Sequence, residues 1–512
     1  MNWQRARKIA YMVAIVLLLL LLVVLGQPAT SDVGETKGSE GGILARLRKD
    51  KGFSESDLGE IDPAGETVKL ATLGLRGVAA NILWDKANTY KMKKDWTNLS
   101  ATLRQIAKIE PHFVKVWRFQ GWNLSYNVSA EFDDYRERYR WVIRGIDYLN
   151  EGIRYNRTDP MLVWDVGWFI SQKIGRADES KQFRRLFQED DDFFLRYNDP
   201  RPKEDRDNWL VGMDWYAQAE VMVDRGADLK KSTPVIFYSN RPMCRMNHAE
   251  ALEGDGVFGE KAQFAWRRAG EDWLQFGERP TPTWEPGVKI RLNDKERLLE
   301  EADRCVAQLD KLDPGLRERI RQERLAKLTA AEKKAYETPP DQRRTEEIYT
   351  LAMKAESQVN VTYEQVARRV SGKNFEKALD LARKAADFET QAQKIDTNRS
   401  LVNYDYWRLR AKVEQQPATI EAREALYGAD QALAAGTDLV RAKQRYEKGY
   451  ALWRKVLDDK QWPQLKQDDK LGEELAKSVR RYRRVLQQRD EPFPKDFILQ
   501  DIVTLYDSLA DN

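Results

Sequence analysis

The chain has 512 residues, of which 33% are charged and 42% are hydrophobic, and its 86 basic and 82 acidic side chains leave a net charge of +4. This balance excludes the strongly one-sided electric field of a typical nucleic-acid-binding protein, so no nucleic acid partner is expected. The chain has two His and two Cys residues and contains neither a His-Glu-x-x-His zinc helix nor a Cys-x-x-Cys unit. We therefore predict no metal, no cofactor and no catalytic residues, in a helical chain long enough for two or three domains.

An unbroken apolar run begins the chain, from Ile9 to Leu25, and positive charges at residues 5–8 precede it. As a helix this run rises about 26 Å, which is near the lower limit for crossing a bilayer. The positive-inside rule predicts that residues 1–26 are a cytoplasmic stub and transmembrane anchor, single-pass in the cytoplasmic (inner) membrane. The bulk of the chain would then be periplasmic or otherwise extracytoplasmic. A cleaved signal peptide is the alternative interpretation.

Changes in composition predict four further segments after the anchor. Residues 27–66 are polar and rich in Gly, Ser, Asp and Glu, which is typical of a flexible tether. Residues 67–279 show helical periodicity and form the predicted repeat domain. A Pro-rich stretch opens residues 280–396, which we interpret as a linker and long charged helices. Residues 397–512 are predicted to be a C-terminal helical domain.

A large-small-large pattern recurs three times in the predicted repeat domain. Its spacing of four and then three residues places each triplet on one helix face, where the small residue lets a neighbouring helix approach. The copies are Leu83, Ala87 and Tyr90; Trp117, Gly121 and Leu124; and Val163, Gly167 and Ile170, with Gly145, Leu149 and Gly152 on the second helix of the second copy. The first two copies are 34 residues apart, the period of a two-helix solenoid whose repeats stack to bury their apolar faces.

Four shorter segments carry their own interpretations. Residues 233–242 have strand-like composition between prolines and are interpreted as an extended loop. Residues 293–336 are predicted to form a charged helical hairpin that packs on itself. The G-x-G-x-x-G pattern at residues 254–259 has no strand before it, so we interpret it as an interhelical loop. The basic run at residues 480–484 is interpreted as a solvated helix face.

The second copy, with Trp117, Gly121 and Leu124, resembles the tetratricopeptide repeat (TPR) signature, in which a Trp, a Gly and a large residue occupy these positions. A looser likeness recurs near residues 429–453. The whole chain also resembles large membrane-anchored helical proteins of planctomycete-type bacteria whose role is unknown. Together these resemblances predict an all-α fold: an N-terminal transmembrane helix, a TPR-like α-solenoid, a long charged helical segment and a C-terminal helical domain.

The TPR resemblance implies that the first helix of each repeat lines a concave groove for a partner. The implied groove positions are Asn81, Trp84 and Asn88 in the first copy, Lys115, Arg118, Trp122 and Tyr126 in the second, and Trp164 and Trp168 in the third. Lys115 and Arg118, together with Asn88, are expected to hold a carboxylate of the partner. The Trp side chains would contact apolar side chains of the partner. The alternative is that these Trp residues only fill the space between repeats.

The predicted function is a membrane-anchored scaffold or adaptor that binds other proteins at the bacterial cell envelope and performs no chemistry of its own. Its expected partners are one or more proteins, and the membrane through the N-terminal helix, with no small-molecule substrate. Two alternatives stay open: an enzyme or enzyme subunit acting on envelope polysaccharide, and an architectural spacer. The sequence also leaves open whether Cys244 and Cys305 form a disulfide.

Overall fold

The computed structural model describes residues 3–26, 42–43, 46, 76–229, 232–285, 287–436 and 438–506. Most of the predicted tether lies outside these residues. Within them the chain is helical apart from one two-stranded antiparallel hairpin, which confirms the all-α prediction. A search of these residues finds no helix that combines the length and the apolar character needed to cross a membrane.

The helices and strands follow one another in chain order. The helices of the N-terminal half are α1 (Trp3–Gly26), α2 (Arg76–Met92), α3 (Trp96–Ile109), α4 (Val114–Trp122), α5 (Tyr135–Tyr155), α6 (Pro160–Trp168), α7 (Ile174–Arg176), α8 (Ser180–Glu189), α9 (Asp191–Arg196), α10 (Asn208–Asp224), α11 (Pro234–Gly254) and α12 (Glu260–Glu278). Strands β1 (Thr281–Pro282) and β2 (Lys289–Ile290) pair next. The remaining helices are α13 (Lys295–Leu312), α14 (Leu316–Leu325), α15 (Ala330–Glu337), α16 (Glu346–Val359), α17 (Tyr363–Ala367), α18 (Phe375–Leu401), α19 (Tyr404–Glu414), α20 (Pro417–Ala435), α21 (Leu439–Leu457), α22 (Asp469–Gln488) and α23 (Gln500–Tyr506).

The chain divides into two compact units that are each built from separate stretches of sequence. One unit takes its residues from Met1–Ser232, Asn240–Ala269 and Pro417–Asn512. The other takes its residues from Thr233–Ser239 and Gly270–Gln416.

Aspartate caps begin several helices of the first unit. The side chain of Asp95 accepts a hydrogen bond from the backbone N–H of Asn98, which begins α3. Asp134 caps α5 in the same way, and Asp159 caps α6 immediately before a proline at its first position. A capping carboxylate satisfies backbone N–H groups that have no partner within the helix, and it interacts favourably with the helix dipole. These caps explain where the repeat helices start.

Glycines allow α4 and α5 to pack closely. A Cβ atom placed on Gly121 would lie 2.8 Å from Leu149 Cγ, and one on Gly152 would lie 2.7 Å from Trp117 Cγ. A Cβ atom on Gly145 would lie 2.7 Å from the carbonyl oxygen of Gly121 and closer still to Ser125 Oγ. Carbon atoms do not approach other atoms this closely without displacing them, so side chains at these positions would push the two helices apart. The small residues of the second copy are therefore where its two helices meet.

The other residues of the large-small-large pattern are also in the interior of the first unit. Leu83 and Tyr90 pack against its core, in which Ala87, Trp117, Leu149 and Ile170 are buried. Leu124 and Val163 are buried as well. Gly167 on α6 faces Gly212 on α10, and a Cβ atom on either glycine would lie 3.0 Å from the carbonyl oxygen of the other.

Residues 234–242 are helical, so the interpretation as an extended loop is wrong. They form the start of α11, with Pro234 at its first position and Pro242 inside the helix. A proline at the first position of a helix costs nothing, since its missing N–H would have no partner there. Val235, Phe237 and Tyr238 are each buried, so burial of apolar side chains outweighs their intrinsic preference for strands.

Residues 293–336 were predicted to form a charged hairpin that packs on itself, and this prediction is wrong. Instead, α13 packs along α18 of the same unit. Leu309 on α13 and Leu381 on α18 share one buried cluster. The helix α18 runs without a break across residues 396–397, where the sequence predicts a domain boundary.

The structure also describes the predicted interhelical loop at residues 254–259 and the basic run at residues 480–484. Residues 254–259 form the connection between α11 and α12, which confirms the interpretation as an interhelical loop. The basic run at residues 480–484 is partly packed: Arg481 donates a hydrogen bond to Asp430 at 2.7 Å, and Tyr482 is buried. Cys244 and Cys305 are both free cysteines.

The close packing of α4 on α5 predicts that Gly145→Ala destabilises the protein by about 1–3 kcal/mol, the usual effect of overpacking a core. Gly77→Ala is the matched control, because among the described residues no atom outside the local backbone of α2 lies within 4 Å of a Cβ placed on Gly77. We expect Gly77→Ala to be neutral or slightly stabilising, since alanine favours helix. Denaturant unfolding of the three proteins measures the effect. An equal response of both variants would contradict close packing at Gly145.

Candidate functional site

Aromatic side chains on α2, on α4 and the turns that follow it, and on α6 form a series of neighbouring rings, which we call the aromatic row. Its members are Trp84, Phe119, Trp122, Tyr126, Trp164 and Trp168. Phe119, Trp122 and Tyr126 are spaced three and four residues apart, so they occupy one helix face. The ring centroids are 6.3 Å apart between Phe119 and Trp122 and 5.7 Å apart between Trp122 and Tyr126. Trp84 extends the row from α2, with its ring centroid 6.0 Å from that of Phe119.

Two π-helical segments meet at the centre of the aromatic row. Asn123–Val128 continues α4 as a π-helix, and Phe169–Lys173 continues α6 in the same way. Tyr126 in the first segment contacts Phe169 in the second, with ring centroids 5.9 Å apart. The Lys173 ammonium lies 4.4 Å from the centroid of the Tyr126 ring. Because π-helical turns are rare and occur often at functional sites, their meeting here marks this face of the unit.

Trp164 and Trp168 form the far end of the aromatic row. Their rings stack with centroids 5.4 Å apart and planes at 20°, and Trp164 also contacts Tyr216 of α10. Phe169, the residue after Trp168, contacts Tyr126 and connects this end to the middle of the row. Trp168 is 36% exposed and Trp122 is 41% exposed, so both rings offer apolar area to a partner.

The guanidinium of Arg118 is paired with a carboxylate of the same chain, that of Asp165. Arg118 Nη2 donates a hydrogen bond to Asp165 Oδ1 at 2.9 Å, and Nε donates to Oδ2. Burial raises the pKa of Asp165 to about 6, although the nearby guanidinium opposes this rise. The pair connects α4 to α6, so Arg118 is engaged within the packed helices of the chain. Asn81, Asn88 and Lys115, the other polar groove positions from the sequence, are exposed on α2 and α4.

Sequence reasoning missed four residues of this face: Phe119, Asp165, Lys91 and Lys173. The Lys91 ammonium lies 5.1 Å from the centroid of the Phe119 ring. The spacing of residues 119, 122 and 126 is enough to predict that Phe119 shares a helix face with Trp122 and Tyr126. The other three residues belong to neighbouring helices, and only the packing of those helices brings them to the row.

The described residues also include one open cleft. An open cleft of about 440 Å³ is lined by Asp199, Arg201, Asp205 and Asp214 with two apolar residues, and Arg201 is paired there with Asp199 and Asp214. No group of three His, Cys, Asp or Glu side chains in the described part of the chain is placed to hold a metal ion. In comparisons with known proteins, no family and no curated protein matches this chain.

The buried carboxyl of Asp165 predicts a pH-dependent stability. Its pKa is raised from the usual 3.8 to about 6, so the folded chain binds this proton more tightly than the unfolded chain. The stability contributed by Asp165 is therefore complete below about pH 4 and is lost as the pH rises through about 6. Relative to Asp165→Asn, we expect the wild-type free energy of unfolding to fall by up to about 3 kcal/mol from about pH 4 to pH 7.

Equilibrium denaturation of both proteins across this pH range measures the difference, because the other carboxylates titrate alike in the two. A relative gain of the wild type with rising pH would contradict the account. It would mean that attraction to Arg118 outweighs the cost of burying the Asp165 carboxylate.

Proposed function

We propose that this chain is a helical-repeat scaffold or adaptor that binds another protein on the aromatic row, with no chemistry of its own. The observation that carries the proposal is the pair of half-exposed indoles, Trp122 and Trp168, in an otherwise packed row of rings. Large aromatic side chains held rigidly at a surface are the residues that most often dominate the affinity of protein interfaces. The TPR resemblance of the second copy agrees with this role, and we keep it as part of the proposal.

Three features of the row favour binding over simple filling of space. Each exposed indole is stacked on a neighbouring ring, so little side-chain entropy is lost when a partner covers it. Among the described repeat helices, only α4 and α6 continue into π-helical segments, whose turns are wider than those of an α-helix. Exposed polar side chains at Asn88 and Lys115 offer a polar rim, which is the usual surrounding of an apolar interface centre.

We also propose that α1 anchors the protein in the cytoplasmic membrane, with its N-terminus in the cytoplasm and the bulk of the chain outside. The support comes from the apolar run Ile9–Leu25 and the positive charges before it. The described large apolar side chains of α1, among them Ile15, Leu18 and Leu21, are exposed in the isolated chain. A surface this apolar needs a cover, and a bilayer provides one.

The binding proposal predicts that Trp122→Ala and Trp168→Ala each weaken partner binding by about 30-fold. This is the effect of removing a hot-spot indole worth about 2 kcal/mol. Crosslinking in cells followed by quantitative mass spectrometry of copurified proteins identifies the partner, and titration with the purified partner measures the affinity.

Trp284→Ala is the matched control, since Trp284 is also exposed but lies near the β-hairpin of the other unit. Thermal unfolding of each variant checks that the repeats stay folded. Partners that copurify equally with all three variants would contradict the proposal that the aromatic row binds them.

The anchor proposal predicts that a tag at the C-terminus becomes accessible to protease once the outer barrier of the cell is opened. The inner membrane stays intact in this experiment, and a cytoplasmic marker protein must remain protected. An immunoblot against the tag detects the digestion. Protection until the inner membrane is breached would reverse the proposed topology.

A further inference from the structure

Basic side chains gather on the exposed faces of α3 and α5, which together we call the cationic face. Residues four positions apart lie on the same side of a helix, so each helix presents its basic side chains in one row. Burial raises the pKa of Tyr148 on α5, and the nearby Arg104 guanidinium opposes this rise, so the row on α3 lies near that on α5. The members are Arg104 and Lys108 on α3 and Arg136, Arg140 and Arg144 on α5, all of them exposed.

Positive charge dominates the cationic face. The sequence of α3 contains no Asp or Glu. Three carboxylates near the start of α5 are engaged within the unit: Glu137 pairs with Arg140, Glu131 accepts the indole N–H of Trp96 at 2.9 Å, and Asp134 caps the helix. An anion that approaches this face therefore meets mainly guanidinium and ammonium groups.

Two arginines of the cationic face stack on aromatic rings. The guanidinium carbon of Arg136 lies 4.8 Å from the centroid of the Tyr135 ring, and that of Arg144 lies 4.4 Å from the centroid of Trp141. The Trp141 ring is itself stacked on Phe132, with centroids 5.8 Å apart. Within the described part of the chain, neither guanidinium forms an ion pair or a hydrogen bond. A stacked guanidinium keeps the N–H groups of its edge free, and these bind phosphate or carboxylate oxygens in pairs.

We infer that the cationic face contacts the anionic phospholipid headgroups of the membrane that α1 is proposed to span. This inference rests on the proposed anchor and adds a second, peripheral contact with the same bilayer. A flat anionic surface can meet the cations of two neighbouring helices at once, and each basic side chain near such a surface strengthens the attraction. Aromatic side chains such as Trp141 are also common at the level of the headgroups.

Two features favour a bilayer over a single acidic segment of a protein. From Arg136 to Arg144 the helix rises about 12 Å, and neighbouring helices lie about 8–10 Å apart, so the cationic face is wider than one extended peptide. Residues 27–75 separate α1 from α2, and a chain of this length can extend up to about 160 Å. The bilayer is therefore within reach of α3 and α5, and the covalent connection raises its effective concentration.

Contact through the cationic face does not use the aromatic row. On α5 the glycines that approach α4, Gly145 and Gly152, are buried, whereas Arg136 and Arg144 are exposed. The membrane contact and the proposed protein binding therefore use different side chains, and each can be removed without the other.

The test uses the full-length protein reconstituted into bilayers of phosphatidylcholine, with or without added phosphatidylglycerol. A fluorescent amino acid at Gln105, an exposed position of α3, reports energy transfer to an acceptor on the lipid headgroups. We expect more transfer in the anionic bilayer. Arg136→Gln and Arg144→Gln should each lower the ratio of protein with and without this contact about fivefold, the contribution of one basic side chain near an anionic surface. About 1 M salt, which shortens the screening length to about 3 Å, should abolish the difference.

Lys86→Gln is the control, because Lys86 is an exposed cation that also lies over a ring, at 5.7 Å from the centroid of Tyr90, but on α2. Thermal unfolding checks that each variant stays folded. Equal transfer in both bilayers, from protein that has incorporated, would overturn the inference and leave the anchor standing. Protein that incorporates into neither bilayer would overturn both. Loss of a copurified acidic protein in cells with Arg144→Gln, while energy transfer stays unchanged, would assign the face to a protein partner and overturn the membrane contact.

Discussion

The close approach of α4 and α5 at three glycines is the constraint on which the surface of these helices depends. Trp117 lies against Gly152, where only a hydrogen atom leaves room for the indole, and its N–H donates a hydrogen bond to the carbonyl oxygen of Pro111 at 2.8 Å. Asn156, just after α5, donates to the same carbonyl oxygen at 2.9 Å. Packing and hydrogen bonding thus fix the start of α4 against the end of α5. A helix held this firmly can present rigid side chains on its opposite face.

The opposite face is where the aromatic row lies, and two π-helical segments shape it. Each segment continues a first helix whose earlier turns are fixed by glycine contacts, at Gly121 in α4 and at Gly167 in α6. The wider turns bring Tyr126 and Lys173 into contact across the two repeats. The row therefore depends on the packing behind it, and a change at a buried glycine is expected to alter the surface as well as the stability. This dependence connects the fold to the proposed binding function.

Periodicity was enough to predict the all-α fold and several individual helices, because a helix that buries one face carries apolar residues at regular intervals of three and four positions. The triplet Trp117, Gly121 and Leu124, predicted to lie on one helix face, corresponds to α4 and the π-helical segment that continues it. Residues 233–242 show where this reasoning fails: β-branched and aromatic residues favour strands locally, yet their burial stabilises α11. The groove positions that the TPR resemblance implies include most members of the aromatic row. Lys91, Lys173 and Asp165 could not be found in this way, since their roles come from contacts between helices that are distant in sequence.

The most direct test of the central claim is photo-crosslinking in living cells from single positions of the full-length protein. A photoreactive amino acid at Asn88 or Lys115 would sit on exposed positions of α2 and α4, which carry members of the aromatic row, and one at Lys181 would sit on α8, which carries none. The account predicts discrete crosslinked protein species from the first two positions and none of these from the third. The same species from all three positions, or no species from the first two, would contradict a protein-binding surface on the aromatic row.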